Sequence, residues 1–180
     1  MSMQRISVVG NSGSGKSFLA SEIARLINAP HVELDGIHHL AHWEPISPDV
    51  FRLTVDEISK GESWVIDGNY RAVVLDGPVW QRADTVVWLD LPRWLVMIQV
   101  IRRTLRRLIF REVLWNGNRE SKRQLISWNP EKSIIRWSWT QHAEYRQRYK
   151  NAMASDQYGH LHFHRLTSRR DIRSLTDALQ

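Results

Sequence analysis

The sequence predicts an α/β fold, a parallel sheet with helices on both faces, and three observations carry that expectation. Short apolar runs alternate with helix-period stretches along the chain, the pattern of strands joined by crossover helices. The first run, Arg5-Ile6-Ser7-Val8-Val9, leads straight into Gly10-Asn11-Ser12-Gly13-Ser14-Gly15-Lys16-Ser17 and then into a helix. Two later runs reach acids at their carboxyl ends, Asp35 and Asp67, where open α/β sheets gather ligands.

The glycine-rich segment fits G-x-x-x-x-G-K-[ST] at every fixed position. Gly10, Gly13 and Gly15 allow positive φ and close approach of backbone to ligand. The loop N–H groups then converge on one concavity at a helix N-terminus, which favours an anion. Lys16 supplies a mobile charge for β- and γ-phosphates, and the Ser17 hydroxyl can ligate Mg²⁺. The site is therefore expected to hold ATP through Gly10, Ser12, Gly13, Ser14, Gly15, Lys16 and Ser17, with Phe18 next in line. Leu19, Ile23, Leu26 and Ile27 mark the buried face of the helix that follows.

Composition bounds the rest. A chain of 180 residues with 42% hydrophobic residues can build one core, and a single domain is expected over 1–180. No stretch is long enough for a membrane span, and no secretory signal is read at the N-terminus. The absence of cysteine excludes disulfides and thiolate zinc sites and suits a cytoplasmic protein. The net charge of +6 is uneven: residues 93–150 hold 14 Lys/Arg against 4 Asp/Glu. That bias implies an anionic partner, a triphosphate or a nucleic acid. The nine tryptophans are mostly expected in the core.

In order, Asn28-Ala29-Pro30 ends the first helix and His31-Val32-Glu33-Leu34-Asp35 reads as a second strand, stopped by Gly36. On such a strand Glu33 and Asp35 share one face, placing Asp35 to meet an acceptor hydroxyl or a Mg²⁺-bound water. His38, His39 and His42 follow without the carboxylate or cysteine support of a metal site and read as a polar substrate loop. Ser47-Pro48-Asp49 opens a helix over 48–60 with Phe51, Val55 and Ile58 as its stripe.

The third strand, 63–68, ends in Asp67-Gly68, an acid placed to hold Mg²⁺ directly or through water. Asn69-Tyr70-Arg71 follow, so Arg71 is expected over the same crevice. A fourth strand spans Thr85–Asp90, and Pro92 opens a long helix. Its core residues are expected at Leu95, Ile98, Ile101, Leu105 and Leu108, with Arg102, Arg103, Arg106, Arg107 and Arg111 on the polar face.

Residues 112–131 break the regular pattern, a length that suggests a lid. A helix over about 131–150 carries Arg136, Arg146 and Arg148. A last strand, 160–166, places its alternating histidines on an exposed edge, and residues 170–179 close the chain as a short helix.

Taken together, these segments resemble the nucleoside-monophosphate-kinase branch of P-loop proteins, and especially the adenylate-kinase-related FlaR-type DNA topology modulation proteins. The resemblance spans nearly the whole length. It rests on Gly10–Ser17, on Glu33-Leu34-Asp35-Gly36-Ile37-His38-His39, on Trp64 to Arg71, on Ala83-Asp84 through Leu91-Pro92, and on the arginine-rich helix with Gly117-Asn118-Arg119-Glu120.

It implies a three-layer α/β/α fold with a five-stranded parallel sheet in order 2-3-1-4-5 and a small helical lid. It further implies that Arg71, in a segment similar to Asp67-Gly68-x-x-Arg71 of adenylate kinases, grips an acceptor phosphate, and that Glu33 and Asp35 lie near acceptor and metal; Asp67, Gly68, Asn69, His38, His39 and the lid residue Arg119 complete the expected acceptor set. Arg102 and Arg106 resemble the pair that clamps the transferring phosphoryl group, with Arg136 at the lid hinge, and Arg169 falls where the adenine is held. Lys16 and Asp35 complete the catalytic set, and Ser17, Glu33 and Asp67 the Mg²⁺ set. The arginine pair lies one helical turn later than in adenylate kinases, and the lid lacks their glycine-arginine sequence, which leaves the acceptor open.

The expected activity is transfer of the ATP γ-phosphoryl group to a nucleotide or other small acceptor by a monomer or homodimer. The alternative is an ATP-dependent nucleic-acid-binding protein, although no DNA-reading module is recognisable.

Overall fold

The structure is a computed structural model and describes residues 3–119 and 134–180, with the backbone alone at Ile134. The elements are β1 (Arg5–Gly10), α1 (Lys16–Leu26), β2 (His31–Glu33), α2 (Leu34–His38), α3 (Pro48–Ser59), β3 (Trp64–Asp67), α4 (Pro78–Arg82), β4 (Thr85–Leu89), α5 (Arg93–Ile109), α6 (Ile134–Met153), β5 (His162–Leu166) and α7 (Arg169–Asp177). The five strands form one sheet in the order β2-β3-β1-β4-β5, every pair parallel. The expected three-layer architecture is the one observed.

Strand alternation divides the core into two. Ile6, Val8, Val65, Val87 and Leu89 pack with α1 and the first half of α5, whereas Val9, Trp64, Ile66, Val86 and Trp88 pack with α3, α4 and α6. Burial on both faces is why these strands read as unbroken apolar runs. Ser7 is the polar exception on the second side; its hydroxyl accepts from Trp80 Nε1 at 3.1 Å. Among the described residues three tryptophans, Trp64, Trp80 and Trp88, are fully buried and Trp137 packs against their cluster, while Trp94 and Trp139 are exposed.

Two other expectations are corrected. The second strand ends at Glu33 rather than Asp35, because its ladder partner β3 ends at Asp67, the register partner of Glu33. Beyond it, Gly68 turns away with φ +147°, and Leu34 begins α2 with its side chain against Gly68. Glu33 and Asp35 therefore do not share a strand face. On α5 the buried residues are Val96, Val100 and Thr104, while Ile98, Ile101 and Leu105 are exposed. The buried face is the one that meets the loop, where Val100 stands so close to Gly13 that a Cβ there would collide with it, and of the expected core residues Leu95 packs against this cluster.

The last strand begins at His162. His160 stands before it, its Nε2 donating to the Trp80 carbonyl at 2.9 Å. Residues 120–131 of the expected lid, including its expected helical character, lie outside the described residues. The parallel register brings the C-terminal ends of β1 to β4, and with them Gly10, Glu33, Asp67 and Asp90, to one edge of the sheet.

Candidate functional site

The loop between β1 and α1 has the backbone its glycines predict. Gly10, Gly13 and Gly15 have φ of +146°, +81° and +96°, and Gly15 is the left-handed N-cap of α1. Ser14 N–H donates to the Asn11 carbonyl at 3.1 Å, closing the turn. No atom lies within 4 Å of where a Gly15 Cβ would stand, so the helix N-terminus is open on the loop side. The Ser14 hydroxyl is buried and has no hydrogen-bond partner. An open amide cradle with an orphaned buried hydroxyl fits a phosphate, which supplies acceptor oxygens to both.

Lys16 Nζ reaches back to the Asn11 carbonyl at 3.2 Å. Burial lowers its pKa and Arg103 adds to the lowering, while Asp35 and Asp67 oppose both. The ammonium is thus held to the loop and feels the charge of two carboxylates. Ser17 is half-buried in the first turn of α1, and Phe18 is 79% exposed beside it.

Two side-chain clasps hold the loop. The Asn69 amide pairs with the Gly10 main chain, accepting from Gly10 N–H at 3.2 Å and donating to Gly10 O at 2.7 Å. Tyr149 of α6 donates to the same Asn69 oxygen at 2.9 Å. At the loop tip, Asn11 Nδ2 donates to Ser138 O and Oγ at 2.8 and 2.9 Å, and the Ser138 hydroxyl donates to Ser12 O at 3.0 Å. Both Asn11 and Ser138 are buried.

The acids face this loop. Asp67 is buried, with His31 Nε2 3.4 Å from its Oδ2. Glu33, beside it in register, accepts from Trp115 Nε1 at 3.0 Å. Burial pushes the Glu33 carboxyl above its usual range and neighbouring Asp67 adds to the rise, partly offset by the Trp115 bond. Asp35, in the first turn of α2, accepts from Tyr70 OH at 2.7 Å. Burial, with Asp35 adding, pushes the Tyr70 phenol well above its usual value. Among the described residues no three His, Asp or Glu side chains gather closely enough to hold a metal on their own.

His38 and His39 belong to an aromatic cluster beside Asp35. The His38 ring lies 5.2 Å from Phe51 and 4.6 Å from Tyr70, and His39 lies 5.3 Å from Trp43. Burial lowers the His38 pKa, and His39 lowers it further.

The backbone beside Asp35 is also clamped by the first part of the expected lid. Asn116 Nδ2 donates to Gly36 O at 3.1 Å and His39 O at 2.6 Å, and Asn118 Nδ2 to Leu40 O at 2.8 Å. Trp43 returns the contact, donating from its N–H to Asn118 Oδ1 at 2.9 Å and from Nε1 to Arg119 O at 3.1 Å. The available signal was Asn116-Gly117, a pair suited to positive φ, and both adopt it.

Several residues expected to contact a ligand have partners within the protein. Asn69 is a clasp on Gly10, and Gly68 is a packing glycine whose Cβ would stand 2.8 Å from Leu34 Cβ. Arg71 is exposed and turned to Asp76, Nε to Oδ2 at 2.8 Å.

On α5 the arginine that meets the loop is Arg103, Nη2 to Ser12 Oγ at 3.3 Å. Arg102, one residue round the helix, is exposed, and Arg106 pairs with Glu112 at 2.9 Å. Arg136 precedes Ser138 by two residues, about 160° round α6 from the side that grips the loop. Arg119 offers its carbonyl to Trp43 while its side chain is exposed. Arg169 is exposed in the first turn of α7, whose N-terminus Ser168 and Asp171 close as a capping box.

Asp90 was not singled out from sequence. It is buried at the end of β4 and held by Arg165 and Arg146.

The chain is similar in structure to two kinases. A crystal structure of shikimate kinase from Bacteroides thetaiotaomicron matches with a TM-score of 0.60 at 17% identity, covering 99% of this chain and 97% of that one. Shikimate kinase from Acinetobacter baumannii in complex with shikimate matches with a TM-score of 0.57 at 16% identity, covering 99% and 91%. At such identities the likeness carries the fold, a P-loop kinase-like sheet of five parallel strands. No family model and no curated protein matches the sequence.

Proposed function

We propose that this single-domain protein is an ATP-dependent phosphotransferase acting on a small acceptor. The observation that carries the proposal is the loop Gly10–Ser17, an open amide cradle at the N-terminus of α1, with the Lys16 ammonium on the Asn11 carbonyl and within the field of Asp35 and Asp67. The backbone amides and Lys16 bind the β- and γ-phosphates, and Arg103, rather than Arg102, neutralises charge at the loop tip. The residues present fit Mg²⁺: Ser17 and Asp67, with phosphate oxygens, would hold it. The ion supplies charge neutralisation on the transferring group when bound.

Catalysis of this kind is positioning and electrostatics. The γ-phosphorus–oxygen bond to ADP breaks as a bond to the acceptor hydroxyl forms, and the hydroxyl proton passes to Asp35 or to solvent. Tyr70 fixes the Asp35 carboxylate, and the Asn116–Asn118 clamp fixes the backbone that carries it.

The fold of the two kinase neighbours supports the reading, as does the resemblance to adenylate-kinase-related FlaR-type proteins. Release of ADP from Mg-ATP across a panel of small acceptors tests it: wild-type protein is expected to turn one over and Lys16→Ala to lose that turnover. A nucleic-acid reading draws on the exposed Arg102 and Arg111 and predicts DNA affinity that falls about one log unit per log unit of salt for each phosphate contacted.

A further inference from the structure

Helix α5 has two apolar faces, and the fold buries one of them. Val96, Val100 and Thr104 are its buried residues, and the two valines share a core with Val87 and Leu89 of the sheet. About 140° round the helix from Val100 runs a second row, Trp94, Ile98, Ile101, Leu105 and Ile109, each between 40% and 72% exposed. Steps of four, three, four and four residues keep the row on one line, the seam of a helix that meets a second surface. Singly exposed aliphatics are ordinary, whereas a contiguous row marks a contact surface. None of the five belongs to either core cluster of the described residues.

Cations border this row. Arg102 is exposed beside it, about 40° round the helix from Ile98. Arg106, one turn on, is exposed and paired with Glu112, and Arg111 is exposed in the turn that ends the helix. At the other end Arg93 stacks on Trp139 of α6, 4.8 Å from the ring centroid. Trp94 and Trp139 are both more than half exposed there. The wider segment has the same bias, since residues 93–150 hold 14 Lys/Arg against 4 Asp/Glu.

The row, its arginines and its tryptophans together select the occupant. A second copy of the chain would bring one arginine-bordered row against another, and like charges oppose that pairing. A nucleic acid would use the arginines through its phosphates and leave the apolar row in water. An anionic bilayer surface uses all three: headgroup phosphates meet the arginines, the aliphatic row enters the acyl boundary, and tryptophan sits between them. With four arginines among its 17 residues after Arg93, α5 suits a position in the plane of such a surface. No helix of the described residues is long and apolar enough to cross one.

We propose that the outer face of α5 is a docking surface for an anionic lipid bilayer. The proposal is independent of the phosphotransfer reading. Arg103, which meets the glycine loop at Ser12, projects about 160° round the helix from Ile101, so the row is occupied without covering that contact.

The test sediments the full chain with vesicles of phosphatidylcholine alone and of equal parts phosphatidylcholine and phosphatidylglycerol, at low and high salt. The wild type is compared with the double variant Leu105→Gln/Ile109→Gln, and the folding of each is followed by thermal denaturation. The wild type is expected to bind the phosphatidylglycerol vesicles, more weakly at high salt, and to leave the phosphatidylcholine vesicles in excess. The double variant is expected to bind at least about tenfold more weakly with a Tm within about 4 °C of the wild type.

Failure to bind the phosphatidylglycerol vesicles, or equal binding to both kinds, overturns the proposal. A double variant weakened by less than that factor also overturns it, because a contact made by the arginines alone is then sufficient. A larger fall in Tm shows the row packed against the chain itself, and light scattering that finds a wild-type dimer and a monomeric double variant assigns the row to a second copy. Either result overturns the proposal as well.

Discussion

The side chain of Asn11 is bound to Ser138, 127 residues further along the chain, through both the Ser138 carbonyl and its hydroxyl. The same hydroxyl continues to Ser12 O, so α6 grips the tip of the glycine loop by a buried hydrogen-bond relay. Ser138→Ala removes one acceptor for Asn11 and the donor to Ser12. Each buried bond lost costs about 1–3 kcal/mol. The variant is expected to melt lower and to bind Mg-ATP more weakly, both measurable by thermal denaturation and titration; unchanged ATP affinity denies the relay a role in shaping the loop.

Asn69 tests the second clasp. Asn69→Asp keeps an acceptor for Gly10 N–H and Tyr149 OH but sets a carboxylate oxygen against Gly10 O. A loss of about 1–3 kcal/mol is expected, read from denaturant unfolding in the absence of any ligand. A variant as stable as wild type but defective only in acceptor use restores the ligand-contact role expected from sequence.

Gly13 separates strain from collision. Gly13→Ala suffers both the positive φ of +81° and the encounter with Val100, and is expected to destabilise by about 1–3 kcal/mol or more. Val100→Ala added to it relieves only the collision, so the double variant is expected to recover part of the loss. Full recovery in a double-mutant cycle shows that the backbone is unstrained.

Glu33 makes stability depend on pH. Its carboxyl is pushed up in the folded protein by burial and by Asp67, so the folded state binds the proton more tightly than the unfolded chain does. Stability from this group is therefore present below the unfolded value and is lost as pH rises through the folded one. Glu33→Gln keeps an oxygen for Trp115 Nε1 and removes the charge. Its Tm is expected to exceed that of wild type above neutral pH, with the difference closing near about pH 4. A constant difference across that range contradicts the assignment.

Much of this was legible because the controlling signals are local. Gly10–Ser17 announces its own backbone, and unbroken apolar runs such as Trp64–Asp67 mark strands buried on both sides. What escaped depends on distant partners. That β2 ends at Glu33 follows from where β3 turns at Gly68. Which α5 face is buried depends on the packing of Val96 and Val100 under the loop and sheet, and a 100° step per residue then puts Arg103 rather than Arg102 beside Ser12. The clasp of Asn69 on Gly10 and the pairing of Arg71 with Asp76 likewise depend on partners brought near only by the fold. Ser138 and Tyr149 carry no motif at all, since their roles arise only when α6 crosses the loop.

Titration of Mg-ATP into the wild type and into Lys16→Ala tests the centre of the account most directly. Saturable binding by the wild type, weakened at least about tenfold by the substitution, is the expected result. A wild type that does not bind Mg-ATP, or a Lys16→Ala protein that binds it equally well, contradicts it.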